Sequence, residues 1–185
     1  MSEELVRQKL EGNLQAGSLA QLVKERKGEH ETWLLLDTSS SMHGYTGGYS
    51  QTRKIDALRV LVRDLSQTLI CPMLQFASDC AVVVDGSIRE PMGSTNLRLA
   101  IDDAQQRGAR HLIIISDGQP DSETGALQAA RSFAHPIDVF YVGPAGDDGE
   151  RFLAELARAS GGKSQTISLA QTKQLTSAIR GLLGS

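Results

Sequence analysis

Short, continuous apolar runs punctuate this chain from residue 32 onward. Three of them are Thr32–Leu36 (TWLLL), His111–Ser116 (HLIIIS) and Ile137–Val142 (IDVFYV). Runs of this length and character are typical of strands that are buried on both faces of a sheet. The pattern therefore predicts three core strands.

Between these runs, apolar residues recur at the spacing of an amphipathic helix. Ile55, Leu58, Leu61 and Leu65, for example, lie three or four positions apart, so they share one face of a helix. The same reasoning predicts helices over 51–70, 95–107, 121–134, 148–160 and 171–183.

The remaining strand-like segments complete a strand–helix alternation. Met73–Phe76 and Ala81–Val84 flank a polar turn, and a last strand is predicted over 163–169. The turn is too short for a parallel connection, so the 81–84 segment should be an antiparallel edge strand. Repeated alternation otherwise predicts an α/β fold with a mostly parallel sheet and helices on both faces. Ligand sites in such folds lie beyond the carboxyl ends of the strands.

The first 30 residues stand apart from this alternation. Residues 3–27 are rich in helix formers, but Gly12 and Gly17 interrupt the pattern. We interpret 1–30 as an N-terminal helical extension and 31–185 as the domain. The extension either covers one end of the domain, which we favour, or serves as a partner-binding arm.

Composition excludes several functions. The chain has 185 residues, a net charge of -3 and 4% aromatic residues, so nothing favours nucleic acid or a membrane as a partner. The N-terminus lacks a signal sequence and no apolar run reaches membrane-spanning length, which predicts a cytoplasmic protein. Cys71 and Cys80 are expected to be free thiols. The low net charge and the absence of an apolar stripe on the surface helices favour a monomer.

Polar side chains collect where three loops should meet. Asp37, Ser39 and Ser41 follow the first strand, and alternate residues of an extended loop project to one side. Thr95 lies in a loop before a helix, and Asp117 follows the strand HLIIIS. These residues offer two carboxylates and three hydroxyls to one point.

The ligand types indicate which ion would bind. All the donors are oxygens, which suits Mg²⁺, with Mn²⁺ or Ca²⁺ as alternatives, and disfavours Zn²⁺. Mg²⁺ retains several waters, so we expect some of the five residues to act through water, Asp117 first among them. Such a site remains electropositive and has an open position for an acidic group.

Three features resemble the metal-ion-dependent adhesion site of von Willebrand factor A domains. They are the D-x-S-x-S run at Asp37–Ser41, Thr95 in a Gly-Ser-Thr-Asn-Leu loop, and Asp117 before a glycine. The resemblance covers roughly residues 31–183. It implies a three-layer, doubly wound fold with six strands and a metal set of Asp37, Ser39, Ser41, Thr95 and Asp117. It further implies a non-enzymatic protein-binding module whose protein partner supplies Asp or Glu, such as an AAA+ ATPase or a multi-protein assembly.

A glycine-rich insert, residues 43–53, follows the D-x-S-x-S run and contains Tyr45 and Tyr49. It is either a flexible solvent loop or a lip that contacts the partner, because tyrosine provides large contact area at low entropic cost. We favour contact with the partner.

A metal-dependent phosphatase-like enzyme is the alternative function, with Asp37 as the nucleophile. Two features disfavour it: position 39 is a serine where a proton-donating acid would be needed, and no lysine is expected beside the site to balance phosphate charge. Gly162-Lys163-Ser164 resembles the end of a phosphate-binding loop, but its predicted helix–turn–strand context is wrong for one. Asp121 and Glu123 could extend the acidic rim of the site, but we interpret them, like the acidic cluster at Asp147, as helix N-terminal charges.

Overall fold

The computed structural model describes residues 32–46, 51–67 and 71–183. The strands are β1 (Thr32–Asp37), β2 (Met73–Phe76), β3 (Cys80–Val82), β4 (His111–Ser116), β5 (Ile137–Tyr141) and β6 (Ser164–Thr166). The helices are α1 (Lys54–Ser66), α2 (Leu97–Gln106), α3 (Glu123–Ser132), α4 (Asp148–Ser160) and α5 (Thr172–Leu183), with 3₁₀ helices at Ser40–His43 and Leu169–Gln171. The predicted extension over 1–30 lies outside the described residues, and the proposed domain division stays a prediction.

The strands form one sheet in the order β3-β2-β1-β4-β5-β6. Every neighbouring pair is parallel except β2 and β3, which confirms the mostly parallel sheet with an antiparallel edge strand. Phe76 pairs with Cys80 across that hairpin, and both Cys71 and Cys80 are free thiols, as predicted. The chain turns to opposite sides of the sheet after β1 and β4, so the carboxyl ends of these strands meet at the switch point.

Alternate residues of the central strands bury opposite faces of the sheet. On one side Leu35 and Ile114 pack with α2, α3 and α4, and on the other Leu34 and Ile113 pack with α1 and α5. This arrangement explains the continuous apolar runs, because both faces of β1, β4 and β5 are buried except at the first residues of β1 and β4. The predicted three-layer, doubly wound architecture is confirmed.

Side-chain caps set the starts of several helices. The side chains of Asn96, Ser122 and Asp147 accept backbone N–H groups at the first turns of α2, α3 and α4, so α2 and α3 begin two residues later than predicted. The interpretation of the acidic cluster near Asp147 as a helix start is confirmed.

Two strands are shorter than expected. The 81–84 segment is a strand only as far as Val82; Val83 N still donates to Met73 O at 2.9 Å, and Asp85 and Gly86, with positive φ values of 53° and 68°, then turn the chain. The 163–169 segment ends as a strand at Thr166, since Ser168 accepts the Ala170 N–H and begins a 3₁₀ helix.

The turn before β6 depends on a glycine. A Cβ placed on Gly162 would lie 2.1 Å from the carbonyl oxygen of Ile137. The glycine is therefore explained by the close approach of β5 and not by phosphate binding.

We predict that Gly162→Ala lowers the free energy of unfolding by about 2 kcal/mol. Gly181→Ala is the matched control: nothing lies within 4 Å of its added Cβ, and it should stabilise α5 by about 0.5–1 kcal/mol. Urea unfolding of both variants would test this, and equal effects would contradict it.

Candidate metal centre

Asp37 lies at the end of β1 and is fully buried. Its Oδ1 accepts the backbone N–H of Ser39 at 2.8 Å, and its Oδ2 accepts the hydroxyl of Ser116, the last residue of β4, at 2.5 Å. Burial, followed by repulsion from Asp117, raises the pKa of Asp37 from 3.8 to about 6, although these two hydrogen bonds oppose the shift. No ion pair connects Asp37 to any residue of the described ranges.

Ser39 and Ser41 converge, but not as an extended loop. Ser39 is extended, with φ -68° and ψ 168°, whereas Ser41 belongs to the 3₁₀ turn Ser40–His43. That turn is anchored by Met42, which is fully buried, and it brings the two hydroxyl oxygens to 3.0 Å. The Ser39 and Ser41 side chains thus converge as predicted, while the prediction that residues 37–41 form an extended loop is wrong.

Asp117 lies at the end of a hydrogen-bonded row that begins with the hydroxyls of Ser39 and Ser41. Its Oδ1 accepts the Ser41 hydroxyl at 2.6 Å. Because Ser41 donates its hydrogen to Asp117, the hydrogen in the Ser39–Ser41 contact comes from Ser39. Both hydroxyl hydrogens therefore point along the row toward Asp117, and oxygen lone pairs remain available for a cation.

The other oxygen of Asp117 pairs with Lys54. The Lys54 Nζ contacts Asp117 Oδ2; the lysine side chain is 14% exposed and the carboxylate side chain 0%. The expectation that no lysine lies beside the site is wrong. Lys54 is the first residue of α1, and its N–H donates to the carbonyl of Gly44, so its position follows from the turn that carries Ser41.

Thr95 is held at the rim by backbone contacts. The loop before it joins the Asp37–Ser41 segment through hydrogen bonds from Met92 N to Thr38 O (3.0 Å) and from Ser40 N to Gly93 O (3.1 Å). The Thr95 residue is 8% exposed. Its hydroxyl makes no hydrogen bond to any residue that the structure describes, so its oxygen remains available to a ligand.

Asp121 has a different role from the one predicted. The interpretation as a helix N-terminal charge is confirmed for Glu123, which lies in the first turn of α3, whereas Asp121 precedes the capping residue Ser122. The Asp121 carboxylate instead accepts the N–H of Thr95 at 2.8 Å and the hydroxyl of Ser94 at 2.5 Å, and its own N–H donates to Thr95 O. Asp121 thus fastens the Thr95 loop to the segment that follows Asp117.

The glycine-rich insert is closed at its base. Tyr45 and Arg53 form an isolated antiparallel bridge, and Thr46 N donates to Thr52 O at 3.0 Å. Tyr45 is 62% exposed, and Met92, on the loop before Thr95, is 59% exposed. Residues 47–50 lie outside the described ranges, so the role of the insert stays a prediction.

The donor set fits a hard cation bound largely by neutral oxygens. Within the described residues, no group of three or more His, Cys, Asp and Glu side chains could hold a metal, which leaves two carboxylates and the hydroxyls of Ser39, Ser41 and Thr95. Oxygen donors of this kind suit Mg²⁺, Mn²⁺ or Ca²⁺. The buried carboxylate of Asp37, whose pKa is raised, would gain a counter-charge that no residue of the described ranges supplies through an ion pair.

Solved structures share this fold. A von Willebrand factor type A protein from Catenulispora acidiphila is similar over 84% of this chain and 42% of that chain, with 17% identity and a TM-score of 0.64. An aerotolerance-related membrane protein from Bacteroides fragilis, carrying multiple mutations to serine, matches 83% of this chain and 98% of its own, with 19% identity and a TM-score of 0.62. The manganese-loaded TRAP protein of Plasmodium vivax matches 80% and 72%, with 21% identity and a TM-score of 0.56.

These similarities show that the chain has the fold of a von Willebrand factor type A domain. No protein-family model matches the sequence, and a comparison with curated proteins finds no match. Among the helices of the described ranges, none has the length and apolar character required to cross a membrane.

The buried carboxylate of Asp37 should make the stability of the metal-free protein depend on pH. Because the folded-state pKa of about 6 exceeds the ordinary value of 3.8, the folded state loses stability as pH rises through this interval. Asp37→Asn removes that loss because the amide does not ionise. The free energy of unfolding of this variant should therefore exceed that of wild type by a gap that widens with pH and approaches roughly 3 kcal/mol above pH 7. Urea unfolding in EDTA between pH 5 and pH 8 measures the gap; a gap independent of pH would contradict the prediction.

Proposed function

We propose that this protein is a divalent-metal-dependent binding module that anchors an acidic residue of a partner protein. The observation that carries the proposal is the hydrogen-bonded row from Ser39 through Ser41 to Asp117, which lies beside the buried carboxylate of Asp37 at the switch point of the sheet. Asp37, Ser39, Ser41 and Thr95 would hold the ion, and Asp117 would orient Ser41 and act through water. Mg²⁺ is the favoured ion, with Mn²⁺ or Ca²⁺ as alternatives.

The charge of the site supports a carboxylate as the ligand. A bound divalent ion would supply a positive charge that neutral hydroxyl oxygens do not cancel, because only the carboxylates carry a negative charge. Asp117 is already paired with Lys54. The metal-loaded site would therefore attract an anionic side chain, and a Glu or Asp from another protein fits an open coordination position.

The rim of the site offers apolar contact area. Tyr45 and Met92 are exposed on two loops that are hydrogen-bonded to the segment carrying Ser39 and Ser41. Large exposed side chains around a charged centre are common at protein interfaces. They favour a protein partner over a small free anion. The resemblance to intracellular domains of this family suggests an AAA+ ATPase or a multi-protein assembly as that partner.

A phosphatase-like activity is not favoured. Lys54 removes one of the two objections raised from the sequence, but its Nζ is engaged by Asp117. The other objection stands, since Ser39 occupies the place where a proton-donating acid would be needed. The manganese-loaded TRAP structure supports a metal in this fold and does not require chemistry at it.

We predict that partner binding depends on both the metal and Asp37. A cell extract passed over the immobilised protein with Mg²⁺ should yield a specific bound protein, and EDTA should release it. Asp37→Ala should reduce binding of that protein at least about tenfold, because the central charged ligand is lost. Binding of the identified partner can then be quantified by calorimetry with purified components.

A control variant separates loss of the site from a general change of charge. Asp102 pairs with Arg98 on the surface of α2, with side-chain exposures of 40% and 59%. Asp102→Ala should therefore bind the partner as wild type does. Binding that survives both EDTA and Asp37→Ala would refute the proposed function, provided that the variants melt cooperatively.

A further inference from the structure

Lys54 places a fixed positive charge inside the candidate metal centre. Its Nζ pairs with Asp117, whose side chain is fully buried. At its other end, the Lys54 N–H donates to Gly44 O at 2.8 Å. A Cβ on Gly44 would lie 3.7 Å from the Nζ, so the ammonium group is held between α1 and the turn that carries Ser41. An ion pair enclosed in this way is screened far less by water and salt than a surface pair.

This lysine changes the net charge of the centre. Asp37 and Asp117 carry two negative charges, and Lys54 cancels one of them. With a divalent ion bound, the centre has an excess of one positive charge. Without the lysine, the same ion would leave the centre neutral, and the electrostatic reason for a partner's carboxylate to bind there would be lost.

The ion pair also restricts how Asp117 can act. One carboxylate oxygen accepts the Ser41 hydroxyl and the other is taken by Lys54. A metal ion that bound Asp117 directly would have to compete with the ammonium group for it. Lys54 therefore favours an arrangement in which the ion contacts few charged oxygens and keeps an exchangeable position.

We propose that Lys54 sets the ligand preference of this site: it weakens binding of the divalent ion and strengthens binding of a carboxylate to the metal-loaded protein. This inference rests on the proposed metal site. The two effects have opposite signs because the lysine repels the cation and attracts the anion. A lysine that served only to stabilise the fold would not produce opposite changes in the two affinities.

The test measures both affinities with defined probes. Mn²⁺ binding is titrated by calorimetry, and acetate binding to the Mn²⁺-saturated protein is followed by water-proton relaxation. Lys54→Met should bind Mn²⁺ about tenfold more tightly or better, and it should bind acetate several-fold more weakly. Lys54→Arg retains the charge and should stay within about threefold of wild type in both measurements.

Lys163→Met is the matched control for net charge. Lys163 is exposed and immediately precedes β6, which places it at the amino-terminal edge of the sheet, opposite the metal centre. It should not change either affinity. If Lys54→Met does not fold, Lys54→Gln provides the same loss of charge with an amide that can still donate to Asp117.

The outcomes separate this inference from the proposed function. If wild type binds Mn²⁺ but loss of the Lys54 charge leaves Mn²⁺ affinity unchanged or lowers it, the inference is wrong and the metal site stands. The inference is also wrong if acetate affinity is unchanged or rises in Lys54→Met. If wild type does not bind Mn²⁺, the proposed function fails and the role of Lys54 fails with it.

Discussion

A carboxylate buried at the end of a central strand is the constraint on which this structure depends. Asp37 has no solvent exposure, and an uncompensated charge in such a place is costly. Two neighbours reduce that cost, since Ser39 donates its backbone N–H and Ser116 donates its hydroxyl, whereas the nearby carboxylate of Asp117 adds to it. They do not supply the opposite charge, which is why the pKa remains raised and why a cation is the natural complement.

The position of this carboxylate follows from the sheet. β1 and β4 are central, apolar on both faces and adjacent, so their carboxyl ends meet where the chain turns to opposite sides. Asp37 and Ser116 stand at those ends, and Asp117 follows directly. The loops contribute the rest, because the turn after Ser39 brings in Ser41, while Asp121 fastens the Thr95 loop to the same edge. A rigid sheet thus positions oxygen donors that come from three separate segments.

Much of this could be predicted from the sequence, because periodicity reports burial directly. The runs in β1, β4 and β5 revealed strands covered on both faces, and the short turn between β2 and β3 revealed the antiparallel edge. Strand ends were less predictable: the positive φ of Asp85, which shortens the β3 side of the hairpin, has no signal in an apolar pattern. The segment 1–30 and the tip of the insert lie outside the described residues, so those predictions remain untested.

The sequence indicated the candidate donor side chains but not the contacts that support them. Asp37, Ser39 and Ser41 were recognisable from their spacing, whereas Lys54 and Asp121 act through contacts that arise only when distant loops meet. A sequence pattern shows which side chains are available near a strand end, but it does not show which of them pair with one another. The lysine at the first position of the helix after the D-x-S-x-S run was the one signal that could have revealed the Asp117 ion pair.

A divalent ion bound among the oxygens of Asp37, Ser39, Ser41 and Thr95 is what the proposed function requires above all. The most direct measurement is a crystal structure of the protein grown with Mn²⁺, with anomalous diffraction data collected near the manganese absorption edge. We expect a single strong anomalous peak at bonding distance from the Ser39 and Ser41 hydroxyls, about 2.0–2.4 Å. No peak there at saturating Mn²⁺, or a peak only elsewhere on the protein, would contradict the claim.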